Sequence, residues 1–290
     1  MSLDVALRGV SVRYGSTVAL DSVDLDLRPG VITGLFGRNG SGKTTLASLL
    51  AAFRRPTSGT VRVGGEDPWE NAPVTRATAL IRESGDVLVD DTIATNLDLA
   101  ARARPTFSPA FAAQLVEVFG LDPARKPGKL SRGKRSAFGI VLGLASRAPL
   151  TILDEVHLGL DAPSRVAFYD ALLADYLAHP RTIVLSSHLI DEVDRLVEDV
   201  VVLDRGTVLL AQEAEELRAT ALAVSGPAAT VDAFAADRRI LARQQLGGTA
   251  QITVHGATAA DAARAHALGL TPGPVPLQDL IVHLTSEVTP

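Results

Sequence analysis

Residues 31–52, VITGLFGRNGSGKTTLASLLAA, decide the fold of this 290-residue chain. Residues 31–36 form an apolar run typical of a buried strand, and residues 44–52 have the composition of a helix. The glycine-rich segment between them matches G-x-x-x-x-G-K-[ST], a pattern in which backbone N–H groups turn towards an anion at a helix N-terminus. The matching residues are Gly37, Arg38, Asn39, Gly40, Ser41, Gly42, Lys43 and Thr44. The segment therefore predicts a phosphate-binding loop between a strand and a helix.

This loop predicts a nucleotide ligand, ATP with Mg²⁺. Lys43 is expected at the β- and γ-phosphates, and the hydroxyl of Thr44 is expected on Mg²⁺. Thr45 is expected to help cap the helix and to contact phosphate. The alternative is a glycine-rich turn that precedes a lysine by chance, but its position between strand and helix favours the phosphate loop.

The rest of the chain predicts an α/β core with an insertion and an appendage. Strand-like runs at 150–153, 182–186, 200–203 and 208–211 alternate with helical stretches at 162–178 and 189–198. This alternation predicts a mainly parallel sheet with helices on its faces. We expect residues 1–84 and 148–218 to form the core and the alanine-rich residues 85–147 a helical subdomain. Residues 219–290 predict an accessory α+β region.

Composition limits the classes of function. The net charge of −5 provides no basic surface, so we expect no nucleic-acid partner. The absence of cysteine excludes disulfides and Cys-ligated zinc. The N-terminus has no signal pattern, and the longest mostly apolar stretch, residues 137–145, is about half the length that spans a bilayer. We expect a cytosolic protein that meets a membrane only through a partner.

An acidic pair follows the apolar run at residues 150–153. Asp154 is placed to hold the magnesium shell, as a Walker-B aspartate does. Glu155, one residue further, would point to the other side of the strand end and could act as general base towards the attacking water. A helix-capping pair is the structural alternative.

Four further motifs lie elsewhere in the chain. They are LSRGK at residues 130–134, GLD at 159–161, SSH at 186–188 and VRYG at 12–15. Together with the phosphate loop and the acidic pair, these motifs make residues 3–211 resemble the ATP-binding subunits of ABC transporters.

The resemblance implies roles for single residues. Ser131 and Gly133 would present a hydroxyl, a backbone N–H and a helix dipole to a γ-phosphate bound by a second subunit. Asp161 would lie in the loop that communicates across the subunit pair, His188 would contact the γ-phosphate, and Tyr14 would stack on adenine. Each residue taken alone also fits an ordinary cap, loop or packing position. The remaining histidines match no motif and are expected in surface or loop positions: His157, His179, His255, His266 and His283.

The resemblance also implies a fold and partners. The fold would be a P-loop NTPase, with a RecA-like core, an antiparallel β subdomain and the helical insertion, plus the small C-terminal α+β appendage. Two subunits would sandwich two ATP molecules and drive a separate membrane permease. Through that permease they would lie at the inner face of the cell membrane. The tail resembles the extensions of subunits paired with drug- or antibiotic-export permeases.

Three positions depart from the family pattern. Arg132 stands where glycine is expected, Lys134 where glutamine is expected, and Glu83 at the position of the Q-loop glutamine. Glu83 could still approach magnesium. The cations of Arg132 and Lys134 would be electrostatically favourable beside a γ-phosphate. A weakly catalytic regulatory cassette of a heterodimeric transporter therefore stays open as an alternative, as does a soluble ABC ATPase that acts on ribosomes or DNA.

Overall fold

The computed structural model describes residues 2–83 and 86–286. They form two compact units: the first ends at His188 and resumes over Asp199–Ala211, and the second consists of Leu189–Glu198 and the described residues from Gln212 onward. Within the described residues, the helices are too short or too polar to cross a lipid bilayer.

The first unit contains a parallel sheet and a smaller antiparallel one. The strands up to residue 213 are β1 (Val5–Tyr14), β2 (Thr17–Leu27), β3 (Ile32–Phe36), β4 (Ser58–Val63), β5 (Thr78–Arg82), β6 (Leu150–Asp154), β7 (Thr182–Ser187), β8 (Asp199–Asp204) and β9 (Thr207–Glu213). The six-stranded sheet has the order β5-β6-β7-β3-β8-β9, and the three-stranded antiparallel sheet has the order β2-β1-β4. The α/β class and the antiparallel β subdomain predicted above are confirmed.

Helices cover the sheet and form the predicted insertion. They are α1 (Lys43–Leu50), α2 (Ala72–Ala77), α3 (Ile93–Ala103), α4 (Pro109–Val118), α5 (Arg132–Ser146) and α6 (Ala162–Ala178). Hydroxyl side chains cap three of them: Thr92 caps α3, Ser108 caps α4 and Ser131 caps α5. The helix predicted at residues 162–178 is confirmed with the same bounds.

The parallel register brings distant motifs to one edge. Strands β6 and β7 are buried along their whole length, as expected for strands covered on both faces. Phe36 pairs with Ser187 at the ends of β3 and β7, and Asp154 pairs with Ser186 at the ends of β6 and β7. The residues that follow β3, β6 and β7 therefore meet at the carboxyl edge of the sheet, where ligands bind in open α/β folds.

Two local predictions differ from the structure. Residues 78–82, for which no strand was predicted, form β5 and pair in parallel with β6. A further prediction concerns the segment after β7. The sequence predicts a helix over residues 189–198, which is wrong in length, because only α7 (Ile190–Val193) forms. No side chain caps α7, and the Asp194 carbonyl accepts a hydrogen bond from the Arg218 side chain. After α7 the chain continues as a turn, in which the Leu196 N–H donates to the Val193 oxygen at 2.8 Å.

The second unit is an α+β unit that contains the described part of the predicted accessory region, residues 219–286. Its elements from residue 214 onward are α8 (Ala214–Ala219), β10 (Ala221–Pro227), α9 (Ala228–Ala235), β11 (Arg239–Leu246), β12 (Thr249–His255), α10 (Ala259–Ala267), β13 (Thr271–Gly273) and α11 (Leu277–Ser286). The antiparallel sheet has the order β11-β12-β10-β13. From β10 to β13 the elements follow the β-α-β-β-α-β order of ferredoxin-like units, around a core that includes Val224, Phe234 and Ile252.

Candidate active site

The loop after β3 is built so that only glycine fits at two positions. Gly37 has φ +147°, and a Cβ there would lie 2.3 Å from a backbone oxygen of β8. Gly42 has φ +112°, and its Cβ would lie 2.7 Å from the Ala19 oxygen. Gly42 is also the N-cap of α1 and supplies no side-chain cap, so the expected capping role of Thr45 is wrong. The N-terminal turn of α1 keeps its orphan N–H groups for an anion.

Polar side chains of this loop point into the same space. Lys43 is buried, and its Nζ donates to the oxygens of Gly37 at 2.7 Å and Arg38 at 3.3 Å. The hydroxyl of Ser41 is buried without a hydrogen-bond partner among the described residues. A groove of about 420 Å³ runs past Asn39, Gly40, Gly42, Lys43, Thr44 and Thr45. A glycine cradle, a buried ammonium and an orphaned hydroxyl fit a phosphate chain.

The donors expected for Mg²⁺ are a hydroxyl and a buried carboxylate. Asp154 ends β6 with 3% of its surface exposed, and the Ser186 hydroxyl donates to its Oδ1 at 2.5 Å. Hard oxygen donors such as Asp154 and Thr44 suit Mg²⁺, so the residues present fit the ion. The pKa of Arg82, on the adjacent strand, is raised first by its hydrogen bond to Asp86 and further by attraction to Asp154.

Glu155 is held in a strained conformation at the end of β6. Its φ of +52° is left-handed, which costs a non-glycine residue about 1–3 kcal/mol. Its N–H donates to the Ser186 hydroxyl at 3.1 Å. Its Oε1 lies 3.3 Å from Lys43 Nζ, and its Oε2 lies 3.0 Å from His188 Nδ1. The carboxylate is thereby aimed at the phosphate loop and at the histidine that follows β7.

His157 is a member of this cluster that sequence reasoning missed. It was expected in a surface or loop position, but its side chain is fully buried, which makes that expectation wrong. Its Nε2 lies 3.7 Å from Glu155 Oε2 and 3.3 Å from the Ser187 hydroxyl. The available signal was its position two residues after Glu155, in the short 3₁₀ turn Val156–Gly159.

The predicted signature segment begins α5. The Ser131 hydroxyl accepts a hydrogen bond from the Lys134 N–H at 3.3 Å, so Ser131 is the N-cap. A Cβ on Gly133 would lie 2.7 Å from the Gly159 oxygen, which explains why glycine is needed there. Ser131 and Gly133 thus share one helix N-terminus, packed against the turn that follows Glu155.

The three unusual positions make contacts inside the chain. The Arg132 guanidinium pairs with the Glu83 carboxylate. The Ser136 hydroxyl donates to the backbone oxygen of Glu83 at 2.8 Å. Lys134 Nζ donates to the Phe119 oxygen at 2.5 Å, at the C-terminus of α4. Glu83, expected near the metal, therefore faces a cation of α5, and Lys134 caps a neighbouring helix.

A family model described as ABC transporter matches residues 20–157. The daunorubicin resistance ATP-binding protein of Streptomyces coeruleorubidus is 31% identical over 226 residues, which cover 74% of this chain and 70% of that relative. This chain belongs to the ABC transporter ATP-binding proteins. It is an ATP-binding cassette, the ATPase component of such transporters.

Two further likenesses agree with this assignment. An ABC transporter ATP-binding protein of Streptomyces avermitilis is 37% identical over 213 residues and 70% of this chain, although the chain spans only 37% of that relative's length. A solved ATP binding subunit of an ABC transporter matches with a TM-score of 0.66 at 25% identity, over 74% of this chain and 91% of that chain.

Two further residues predicted for the site, Asp161 and Tyr14, make contacts with other groups than Glu155 and His188. Asp161 is the N-cap of α6, and hydrogen bonds from the Ser164 side chain and N–H hold its pKa below the usual range. Tyr14 ends β1 and is 48% exposed. The Arg54 guanidinium lies 3.8 Å from the centre of the Tyr14 ring and stacks on one face. The tyrosine is not among the residues that line the groove beside Lys43.

Proposed function

We propose that this cassette works as one of a pair of cassettes that hydrolyse ATP to drive a separate membrane permease, in the direction of export. The observation that carries the proposal is the position of the Glu155 carboxylate, between Lys43 Nζ at 3.3 Å and His188 Nδ1 at 3.0 Å. A phosphate-binding cation, a carboxylate and an imidazole at one sheet edge are the groups that phosphoryl transfer to water requires.

Each of these side chains has a proposed part in the reaction. Lys43 neutralises charge on the β- and γ-phosphates and releases Glu155 as it does so. Glu155 then accepts a proton from water, whose oxygen bonds to the γ-phosphorus while the bond to the leaving β-phosphate oxygen breaks. His188 donates a hydrogen bond to the γ-phosphate. Thr44 and Asp154 would hold Mg²⁺, which supplies charge neutralisation at the phosphates when bound.

The second cassette would complete each site. Ser131 and Gly133 lie at the N-terminus of α5, where a helix favours an anion. In the proposed pair they meet the γ-phosphate held by the partner's phosphate loop. Asp161, at the N-terminus of α6, would lie in the segment that senses the other site.

The permease and the direction of transport are supported by relatives' names. Relatives at 30–31% identity are named for doxorubicin resistance, Nod factor export and bacitracin transport, whereas one at 32% is named for methionine import. We propose that a short cytoplasmic helix of the permease docks near Glu83, between the α/β core and the helical insertion. Closure and reopening of the cassette pair would then switch the permease between its two access states.

A trapped variant tests this proposal. The variant Glu155→Gln is tagged, expressed in its native cells and treated with ATP. The substitution should slow hydrolysis and hold the closed pair of cassettes together. Recovery of a multi-span permease from solubilised membranes supports the transporter, and a second cassette in the complex identifies the pair as homomeric or heteromeric. The matched control Lys43→Ala, which loses its phosphate contact, should recover less of the pair. Ribosomal or DNA-repair proteins with nothing from the membrane would support the soluble ATPase instead.

The pairing of Arg132 with Glu83 favours one second candidate, a weakly catalytic regulatory cassette. An arginine held inside its own chain is less available to a γ-phosphate across the pair. ATPase activity of the purified wild-type homodimer separates the two readings. Robust turnover supports the catalytic motor, and ATP binding with negligible turnover supports the regulatory cassette.

A further inference from the structure

A three-ligand cluster lies within the catalytic centre and exceeds what ATP hydrolysis requires. Glu155, His157 and His188 each offer one ligand atom, and these three atoms lie within 4.8 Å of one another. The proposed reaction uses Glu155 and His188, but assigns nothing to the fully buried His157. The three residues follow the neighbouring parallel strands β6 and β7, so the backbone holds their spacing.

Their donor atoms have the chemistry and spacing of a zinc site. Two imidazoles and a carboxylate are a frequent set of three protein ligands around Zn²⁺, with the fourth position open. Bonds of about 2.0–2.1 Å in a tetrahedral site place ligand atoms about 3.3 Å apart. Glu155 Oε2 lies 3.0 Å from His188 Nδ1 and 3.7 Å from His157 Nε2, on either side of that value. The two imidazole rings, whose centroids lie 6.3 Å apart, would have to move so that both nitrogens face one ion.

The surroundings leave the metal-facing atoms suitably oriented. Lys43 Nζ opposes a cation, but it lies 3.3 Å from Oε1, the other oxygen of Glu155. The Ser187 hydroxyl lies 3.3 Å from His157 Nε2, and it would have to turn its hydrogen away from that nitrogen before the Nε2 lone pair could bind an ion. Glu155 lines the groove beside the phosphate loop, which provides a path for an ion. Mg²⁺ prefers oxygen ligands and octahedral geometry, so this donor set discriminates against it.

We propose that Glu155, His157 and His188 form an inhibitory site for Zn²⁺ within this cassette. The bound ion would occupy the carboxylate and imidazole that the reaction needs, so the phosphate loop could still bind ATP while hydrolysis stops. Metal binding stands on the ligand geometry alone, and the inhibition rests on the proposed function.

Cobalt provides a direct probe of the site. Co²⁺ is added to the purified full chain without nucleotide, with binding followed by equilibrium dialysis and by visible absorption, which is intense for four- or five-coordinate and weak for octahedral Co²⁺. We expect one equivalent with an intense band, displaced by Zn²⁺ but not by excess Mg²⁺. His157→Gln and the more exposed His188→Gln should each weaken binding by more than about 100-fold, the upper range for losing an outer-shell partner. The control His266→Gln, exposed on α10, should bind as wild type.

Two results would overturn the proposed metal site. One is a weak octahedral Co²⁺ spectrum in the wild type, and the other is Co²⁺ binding by both His157→Gln and His188→Gln that equals wild-type binding. A second assay tests inhibition: Zn²⁺ at saturating Mg-ATP should lower wild-type and His266→Gln turnover at least about tenfold more than that of His157→Gln. An intense Co²⁺ band with no zinc effect on turnover would overturn the inhibitory role. If the chain has no ATPase activity, the proposed function fails while the spectrum still decides the metal site.

Discussion

The Glu83–Arg132 ion pair should oppose the ATP-dependent pairing of two cassettes. Arg132 begins α5, beside the residues proposed to meet the partner's γ-phosphate, and in this structure its guanidinium contacts Glu83. Closure of the pair would offer Arg132 a competing anion. Glu83→Gln should therefore release Arg132 and strengthen dimerisation, whereas Arg132→Gln should weaken it by removing the cation.

The solvent exposure of the two side chains determines how much the Glu83–Arg132 ion pair contributes. The Arg132 side chain is 74% exposed and that of Glu83 is 30% exposed, so their pair should contribute about 0.2–1 kcal/mol, as exposed ion pairs do. One kcal/mol is about a fivefold change in an equilibrium constant. We expect Glu83→Gln to tighten ATP-dependent dimerisation by about 1.4- to fivefold, and the change to vanish when Arg132→Gln is already present.

A double-mutant cycle measures this coupling. The dimer dissociation constant is determined by sedimentation with ATP, in a Glu155→Gln background, for both single variants and the double variant. The exposed pair Arg8–Asp26 provides the control cycle, since its N–O distance is 2.7 Å and it involves none of the proposed site residues. Equal effects of Glu83→Gln with and without Arg132, or the same effect from the control pair, would refute the reasoning.

Three predictions concern stability. Gly37→Ala should lower the free energy of unfolding by about 3 kcal/mol or more, because the new Cβ would add left-handed strain and lie 2.3 Å from the Leu203 oxygen. It should also abolish ATP binding. The control Gly15→Ala, with φ +60° and no atom within 4 Å of the new Cβ, should cost only about 1–2 kcal/mol. Asp175→Asn should cost about 3–5 kcal/mol in urea unfolding, because Arg181, 2% exposed and 2.8 Å from that carboxylate, would lose its countercharge; a loss below about 1 kcal/mol would contradict this. The pKa of Asp261 falls from 3.8 to about 2 through hydrogen bonds to an arginine and to its N-cap threonine, so its stabilisation is present above pH 3.8 and is lost as pH falls through about 2. Asp261→Asn should melt below wild type at neutral pH, and a gap that persists in full at the lowest pH would argue against this origin.

Local patterns predicted the central parts of the fold. The phosphate loop was recognisable because its glycines and its lysine are neighbours in sequence, and their conformations depend on short-range sterics. The buried strand before it and α6 were recognisable from apolar runs and periodicity, which also depend on near neighbours. Glu155 and His188 meet at one edge of the sheet because the parallel strands β6 and β7 end on the same side.

Other features depended on partners far along the chain. Residues 78–82 contain only three consecutive apolar residues, and they become β5 because β6 offers a parallel edge. Strand β11 likewise forms against β12, and the three-residue strand β13 forms against β10. A strand of few residues takes its hydrogen bonds from a neighbour that the local sequence does not contain.

Residue types and their order were therefore enough to place this chain among phosphate-loop ATPases and to nominate most of its site. Only the tertiary structure revealed the burial of His157 against Ser187 and the pairing of Arg132 with Glu83. Both contacts depend on how loops after separate elements converge. The first joins the turn after β6 to the end of β7, and the second joins residues 49 positions apart. Packing of the sheet and the helical insertion determines those distances, and no local pattern encodes them.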